Sequence, residues 1–207
     1  MSFDLRFSWP IFLAILMCLC FPLVQLIHSN AVYSMTTVHI IEAIQAVLLL
    51  IFAISTYVYM KPLQLSKGRK LFWIWAVCWW VVLLGRSTSW GRDYFPEIPK
   101  IFFRGVSILL IASVVFPLLN AALRREIANK FKNGAFSLWA VILVIFGLMI
   151  SDAIEHHRFI GNLFVYNVAY RDLMEELYEF PLIIGLFIVA FQFMKQDKQS
   201  DTHIEVN

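Results

Sequence analysis

The residues best suited to chemistry are histidines and carboxylates set into a strongly apolar chain. The clearest group lies in Ser151–Arg158, which follows the 16 uncharged residues Ala135–Ile150. Asp152, Glu155 and His156 stand at i, i+3 and i+4, so on a helix they share one face. Ionisable groups at the end of an apolar helix are costly there and are usually functional or paired. This stretch is therefore the polar centre of the sequence.

Two other apolar segments carry similar groups at one end. His39 and Glu42 lie three residues apart near the start of one segment, and Glu175, Glu176 and Glu179 open another. If the apolar segments cross a membrane in alternating directions, all of these groups reach the same depth. Neighbouring carboxylates repel one another, so some of them must be protonated, paired or bound to a cation.

Three arrangements would accommodate this charge: an ion-pair network with arginines, a relay of shared protons, or a bound divalent metal. Histidine and carboxylate ligands suit zinc, iron or manganese. Helical bundles hold di-iron sites with related spacing, although no true Glu-x-x-His occurs in this chain. The predicted metal ligands are His39, Glu42, Asp152, Glu155, His156, Glu176 and Glu179.

The chemistry expected of such a metal is activation of water or oxygen against a lipid or lipid-linked substrate. Glu155 and Glu176 are the predicted catalytic residues. Arg86 and Arg92 are the predicted substrate-binding residues, because arginine pairs well with phosphate oxygens. The sequence leaves open whether the chain is an enzyme. A proton- or cation-coupled transporter would use the same groups, and a non-catalytic assembly or interaction subunit would use them for helix packing.

Motifs of several membrane enzymes are absent from the sequence. Glu175-Glu176 resembles the start of the Glu-Glu-x-x-x-Arg helix of CAAX-type membrane proteases, but Phe180 stands where that arginine is required. The rhomboid Gly-x-Ser-x-Gly pattern is missing, and five histidines are too few for a membrane desaturase. The three cysteines lie in apolar segments without a Cys-x-x-Cys spacing, which indicates neither a disulfide framework nor a zinc knuckle.

The composition indicates a membrane as the surroundings of these groups. The chain is 60% hydrophobic and 15% charged, against about 45–50% and about 25% in soluble domains. We predict an all-α, polytopic membrane bundle over residues 1–194, followed by a disordered polar cytoplasmic tail over residues 195–207. The six predicted transmembrane spans are Trp9–Ile27, Thr36–Met60, Leu71–Ser89, Pro99–Asn120, Ala135–His157 and Asp172–Met194.

The distribution of basic residues predicts the orientation. With the amino terminus inside, 11 of the 17 lysines and arginines fall on the cytoplasmic side, which favours two cytoplasmic termini in a bacterial-type inner membrane. Phe159–Tyr170, between spans five and six, is aromatic and too short to cross; we predict an interfacial segment, with a loop packed on the bundle as the alternative. Membrane lipids are the expected partners, with a second copy of the chain or another membrane protein as further candidates, and nucleic acid is not expected.

Overall fold

Seven helices carry most of the chain in the computed structural model, which describes the backbone of residues 2–27, 31–92 and 94–205. Two short strands, β1 (Ser2–Asp4) and β2 (Ala135–Ser137), form a two-stranded sheet. The helices are α1 (Trp9–Ile27), α2 (Ala31–Met60), α3 (Lys67–Ser87), α4 (Lys100–Val115), α5 (Ala121–Asn133), α6 (Leu138–Glu155) and α7 (Arg171–Glu205).

Among the described residues, five helical stretches are long and apolar enough to cross a membrane. They are Thr36–Gln64, Lys67–Ser87, Lys100–Leu119, Leu138–Glu155 and Val168–Ser200. Their surfaces are apolar as well: α4 buries only Val114 and exposes most of its other apolar side chains. A helix that is apolar all round requires apolar surroundings. The structure is thus consistent with a multi-pass helical membrane protein, whereas the first of the six predicted spans corresponds to a shorter apolar stretch, Trp9–Gln25.

The polar end of the chain differs from the prediction. Instead of becoming disordered after Met194, α7 continues to Glu205. The expectation of disorder is therefore wrong for residues 195–205, and residues 206 and 207 lie outside the described chain. The physical reason is that Asp197 forms a buried ion pair with Lys130, described below. The two residues are far apart in the chain, so no local sequence pattern predicts this contact.

Contacts divide the chain into two compact units, the first made of residues 1–2, 45–135 and 191–207, and the second of residues 3–44 and 136–190. In the first unit, α3 packs against α4 and α5. Polar side chains also join α2 to α3, since Trp80 Nε1 donates to Thr56 Oγ1 at 3.1 Å. Thr56 is fully buried. Such bonds between helices stabilise bundles in apolar surroundings, where side-chain polar groups have no water to bind.

In the second unit, α1 packs on α6, and α6 and α7 approach each other at glycines. A Cβ atom added to Gly147 would lie 2.6 Å from the backbone nitrogen of Leu182, and one added to Gly185 would lie 2.9 Å from the carbonyl oxygen of Ala140. Small residues at a helix contact allow backbones to come this close. The close packing of α6 and α7 fixes the two helices that carry most of the predicted site.

Candidate functional site

A cluster of charged side chains stands at the carboxyl-terminal end of α6. Arg158 Nη1 lies 2.7 Å from Asp152 Oδ2, and His156 Nδ1 lies 3.3 Å from Asp152 Oδ1. Glu155 Oε2 is 3.9 Å from the same histidine nitrogen. The helical spacing therefore brings Asp152, Glu155 and His156 together as predicted. We call these residues together with Arg158 the α6 cluster.

The turn that ends α6 is what places Arg158 in this cluster. His157 has a left-handed backbone conformation with φ of 54°. The next amide, that of Arg158, donates to the Ala153 carbonyl at 2.8 Å, and the His157 amide donates to the Ile154 carbonyl at 3.2 Å. This is the Schellman pattern of helix termination, in which glycine is the usual left-handed residue. The reversal returns Arg158 toward Asp152, on the turn of α6 that precedes it.

The segment after this turn is held by a buried side chain of α1. Gln25 Oε1 accepts hydrogen bonds from the backbone nitrogens of Tyr166 at 2.8 Å and Asn167 at 3.3 Å, and Gln25 Nε2 donates to the Phe164 carbonyl at 2.7 Å. One glutamine thus supplies three hydrogen bonds to residues 164–167, which lie between two short 3-10 helices. The sequence analysis missed Gln25, although a lone amide inside an apolar helix is an available signal.

The same segment also carries exposed apolar side chains. Gly161 packs directly on α6, where an added Cβ atom would lie 2.5 Å from the Ala153 carbonyl oxygen. Phe159 is 80% exposed, and Leu163 and Val168 are also largely exposed. The connection between α6 and α7 therefore joins a charged cluster to a row of exposed apolar side chains.

The remaining predicted ligands lie on α2 and α7 of the same unit. On α2, His39 Nδ1 lies 3.1 Å from Glu42 Oε2. On α7, Glu176 is half-buried and Glu179 is buried. Within the part of the chain that the structure describes, no three histidine, cysteine, aspartate or glutamate side chains form a group that could hold a metal ion. The metal centre predicted from these residues is therefore not supported. The Asp152 carboxylate pairs with the Arg158 guanidinium instead.

Arg86 and Arg92, the predicted substrate-binding residues, belong to the first unit. They flank a strained turn in which Ser89 has φ of 47° and Trp90 has φ of 60°. The left-handed conformation costs roughly 1–2 kcal/mol for each residue other than glycine. The Trp90 ring lies against Gly85, where an added Cβ atom would be 2.7 Å away, and this contact braces the turn.

Comparison with known proteins finds no family model that matches the chain, no curated protein similar in sequence and no solved structure similar in fold. The function is therefore inferred from the residues themselves.

A buried ion pair of the first unit escaped the sequence analysis. Lys130 of α5 pairs with Asp197 of α7, and the two residues are only 8% and 6% exposed. Trp73 Nε1 donates to Asp197 Oδ2 at 2.7 Å, and Glu126 Oε1 lies 3.5 Å from Lys130 Nζ. The ammonium group also lies 5.6 Å from the centre of the Phe72 ring, within range of a cation–π contact. The i, i+4 spacing of Glu126 and Lys130 was the only local signal.

Proposed function

We propose that the chain is a bacterial-type inner-membrane protein with six spans and both termini in the cytoplasm. The first span would be α1, whose 19 residues correspond to about 28 Å of helix, close to the hydrocarbon thickness of about 30 Å. The excess of basic residues on one side of the alternating spans supports the orientation. On this topology the α6 cluster and Phe159–Tyr170 face the outer leaflet.

Labelling of single cysteines in intact cells tests this topology. In a background with Cys18, Cys20 and Cys78 replaced by alanine, we expect a membrane-impermeant maleimide to label Leu163→Cys from outside. We expect Lys67→Cys to react only after the cells are permeabilised. Both parent residues are exposed, so access depends on the side of the membrane. Labelling of Lys67→Cys in intact cells would contradict the orientation.

The function that the geometry supports best is binding of a phosphate-containing headgroup, on a lipid or lipid-linked molecule, by the α6 cluster. The observation that carries it is the placement of a half-exposed arginine–carboxylate pair directly before exposed apolar side chains. Phe159 and Leu163 would enter the headgroup layer, which aromatic side chains favour. Arg158 would exchange Asp152 for phosphate oxygens, with which a guanidinium forms paired hydrogen bonds.

This exchange costs little, because the Arg158–Asp152 pair is accessible to solvent. The side chains of Arg158 and Asp152 are 60% and 35% exposed, and such a pair contributes only about 0–1 kcal/mol. A hydrogen bond to a charged group contributes about 1.5–3 kcal/mol. His156 and Glu155, which are about half exposed, would contact the remainder of the headgroup. Metal-dependent catalysis by Glu155 and Glu176 stays a prediction, as do transport and helix assembly.

Lipid retention measures the proposed binding. Native mass spectrometry of the purified protein after mild delipidation should show bound phospholipid on the wild type. For Arg158→Gln we expect about a tenfold weaker retention, which follows from the loss of at least one charge-assisted hydrogen bond. Arg6→Gln is a matched control, because Arg6 also forms an exposed pair with an aspartate, Asp4. Equal retention by wild type, variant and control would refute the proposal.

A further inference from the structure

Helix α5 is oriented by two buried side chains on one of its faces. Leu123 is fully buried, and Lys130, seven residues later, is held in the ion pair with Asp197. Positions seven apart lie on the same side of a helix. The opposite face, which contains Arg125 and Ala128, is exposed. The rotation of α5 about its axis is therefore set by burial on one side.

This helix begins where a membrane-length stretch ends. The span Lys100–Leu119 is separated from α5 by Asn120 alone. Arg124 Nη1 donates to the carbonyl oxygens of Leu118 and Leu119, each at 2.9 Å, and so caps the last turn of the span. Leu119 itself is 74% exposed. An exposed leucine at this point fits the hydrocarbon boundary, with the first turn of α5 just outside it.

A second membrane-length helix begins beside α5. A Cβ atom added to Gly68, the second residue of α3, would lie 3.4 Å from Glu126 Oε2 and 3.9 Å from the Ala122 carbonyl oxygen. The ends of α3 and α4 thus lie next to the first two turns of α5. With 13 residues, α5 is about 20 Å long, too short to cross a bilayer.

The exposed face of α5 is basic. Its one acidic residue, Glu126, is turned toward Lys130 and away from that face. Arg125 and Lys132 are exposed, and Phe131 beside them exposes an apolar ring. A helix with basic and apolar exposed side chains at the membrane surface is typical of those that bind anionic lipids.

We propose that the exposed face of α5, with Arg125, Ala128 and Lys132, binds anionic phospholipid headgroups in the leaflet where the span Lys100–Leu119 ends. This surface lies in the first unit and is independent of the α6 cluster. Each basic residue near an anionic membrane surface is expected to strengthen the attraction about fivefold. The attraction should weaken as salt is added, because mobile ions screen exposed charges.

Quenching by brominated lipids tests this proposal on the full chain. With the three native cysteines replaced by alanine, Ala128→Cys carries a nitrobenzoxadiazole label, and the protein is reconstituted in nanodiscs of phosphatidylcholine and phosphatidylglycerol. We expect brominated phosphatidylglycerol to quench the label more than brominated phosphatidylcholine at equal mole fraction. Arg125→Gln should lower this preference about fivefold. Lys100→Gln, at the opposite end of the same span, should leave it unchanged.

Control measurements distinguish a lipid site from a site for a soluble anion and from a face that contacts only water. At equal ionic strength, inorganic phosphate should reduce the quenching no more than chloride does; a larger reduction by phosphate would make the face a site for a soluble anion and overturn the proposal. Equal quenching by both brominated lipids, or quenching by aqueous iodide alone, also overturns it. A label at Ala121→Cys, on the same exposed face, repeats the measurement should Ala128→Cys fail to fold.

Discussion

Replacing Asp197 with asparagine tests whether charge holds the polar end of α7 in place. Breaking a buried ion pair costs about 3–5 kcal/mol, because the remaining charge is left without its partner. Asparagine can still accept the hydrogen bond from Trp73 Nε1, so the loss is confined to the Lys130 ammonium group. Glu126, at 3.5 Å, and the nearby Phe72 ring keep part of that charge compensated. We therefore expect the lower limit, about 3 kcal/mol.

Thermal unfolding of the purified protein in detergent measures this loss. For a chain of this size, about 3 kcal/mol corresponds to a Tm lower by about 6–12 °C. Asp152→Asn is the matched control, since its pair with Arg158 is half exposed and its loss should cost at most about 1 kcal/mol. The double variant Lys130→Met/Asp197→Asn should recover much of the stability, because it removes both charges together and keeps an acceptor for Trp73 Nε1.

Two results would refute this reasoning. If Asp197→Asn and Asp152→Asn melted at the same temperature, burial would not be what gives the first pair its importance. If the double variant were as unstable as Asp197→Asn, the loss would come from packing, not from an uncompensated charge.

Four further substitutions, one of them a control, test other parts of the fold. His157→Gly should hold or raise the Tm, because glycine removes roughly 1–2 kcal/mol of left-handed strain; a lower Tm would contradict this. Gly147→Ala should cost about 1–3 kcal/mol by overpacking against α7, whereas Gly105→Ala, which meets nothing within 4 Å, should be neutral or stabilising in the same melting assay. Gln25→Ala should raise hydrogen exchange of the Tyr166 amide up to about tenfold, for the loss of about 0.5–1.5 kcal/mol; unchanged exchange would contradict the role of this glutamine.

The membrane-length helices could be predicted from the sequence, because apolar surroundings require a long run of apolar residues whatever the rest of the fold. Predicted span four, Pro99–Asn120, corresponds to the described stretch Lys100–Leu119, and predicted span five, Ala135–His157, contains α6. An uncharged run ends where charged side chains can reach water, so the sequence itself shows where each span ends. The extension of α7 was not accessible, because its partner Lys130 lies 67 positions away in the chain. A polar sequence that folds by one distant contact looks the same as a disordered one.

In the candidate site, too, the sequence predicted the contacts made within one helix but not the contact that depends on the turn after it. Helical spacing predicted the grouping of Asp152, Glu155 and His156, since three residues on one helix need no further structure. Arg158 was missed because it joins them only through a left-handed His157, at a position where glycine is expected. Once this arginine is present, the carboxylate has a cation of its own, and the main physical reason for predicting a metal becomes weaker.

The two ion pairs differ in a way that assigns them different roles. An exposed pair such as Asp152–Arg158 contributes about 0–1 kcal/mol, so it can open at little cost. A buried pair such as Lys130–Asp197 costs about 3–5 kcal/mol to break, so no ligand from solution can compete for either member. Burial therefore makes Lys130 a structural residue, and by fixing α5 it leaves Arg125 exposed. Exposure, more than residue type, decides which of these charges is accessible to a ligand.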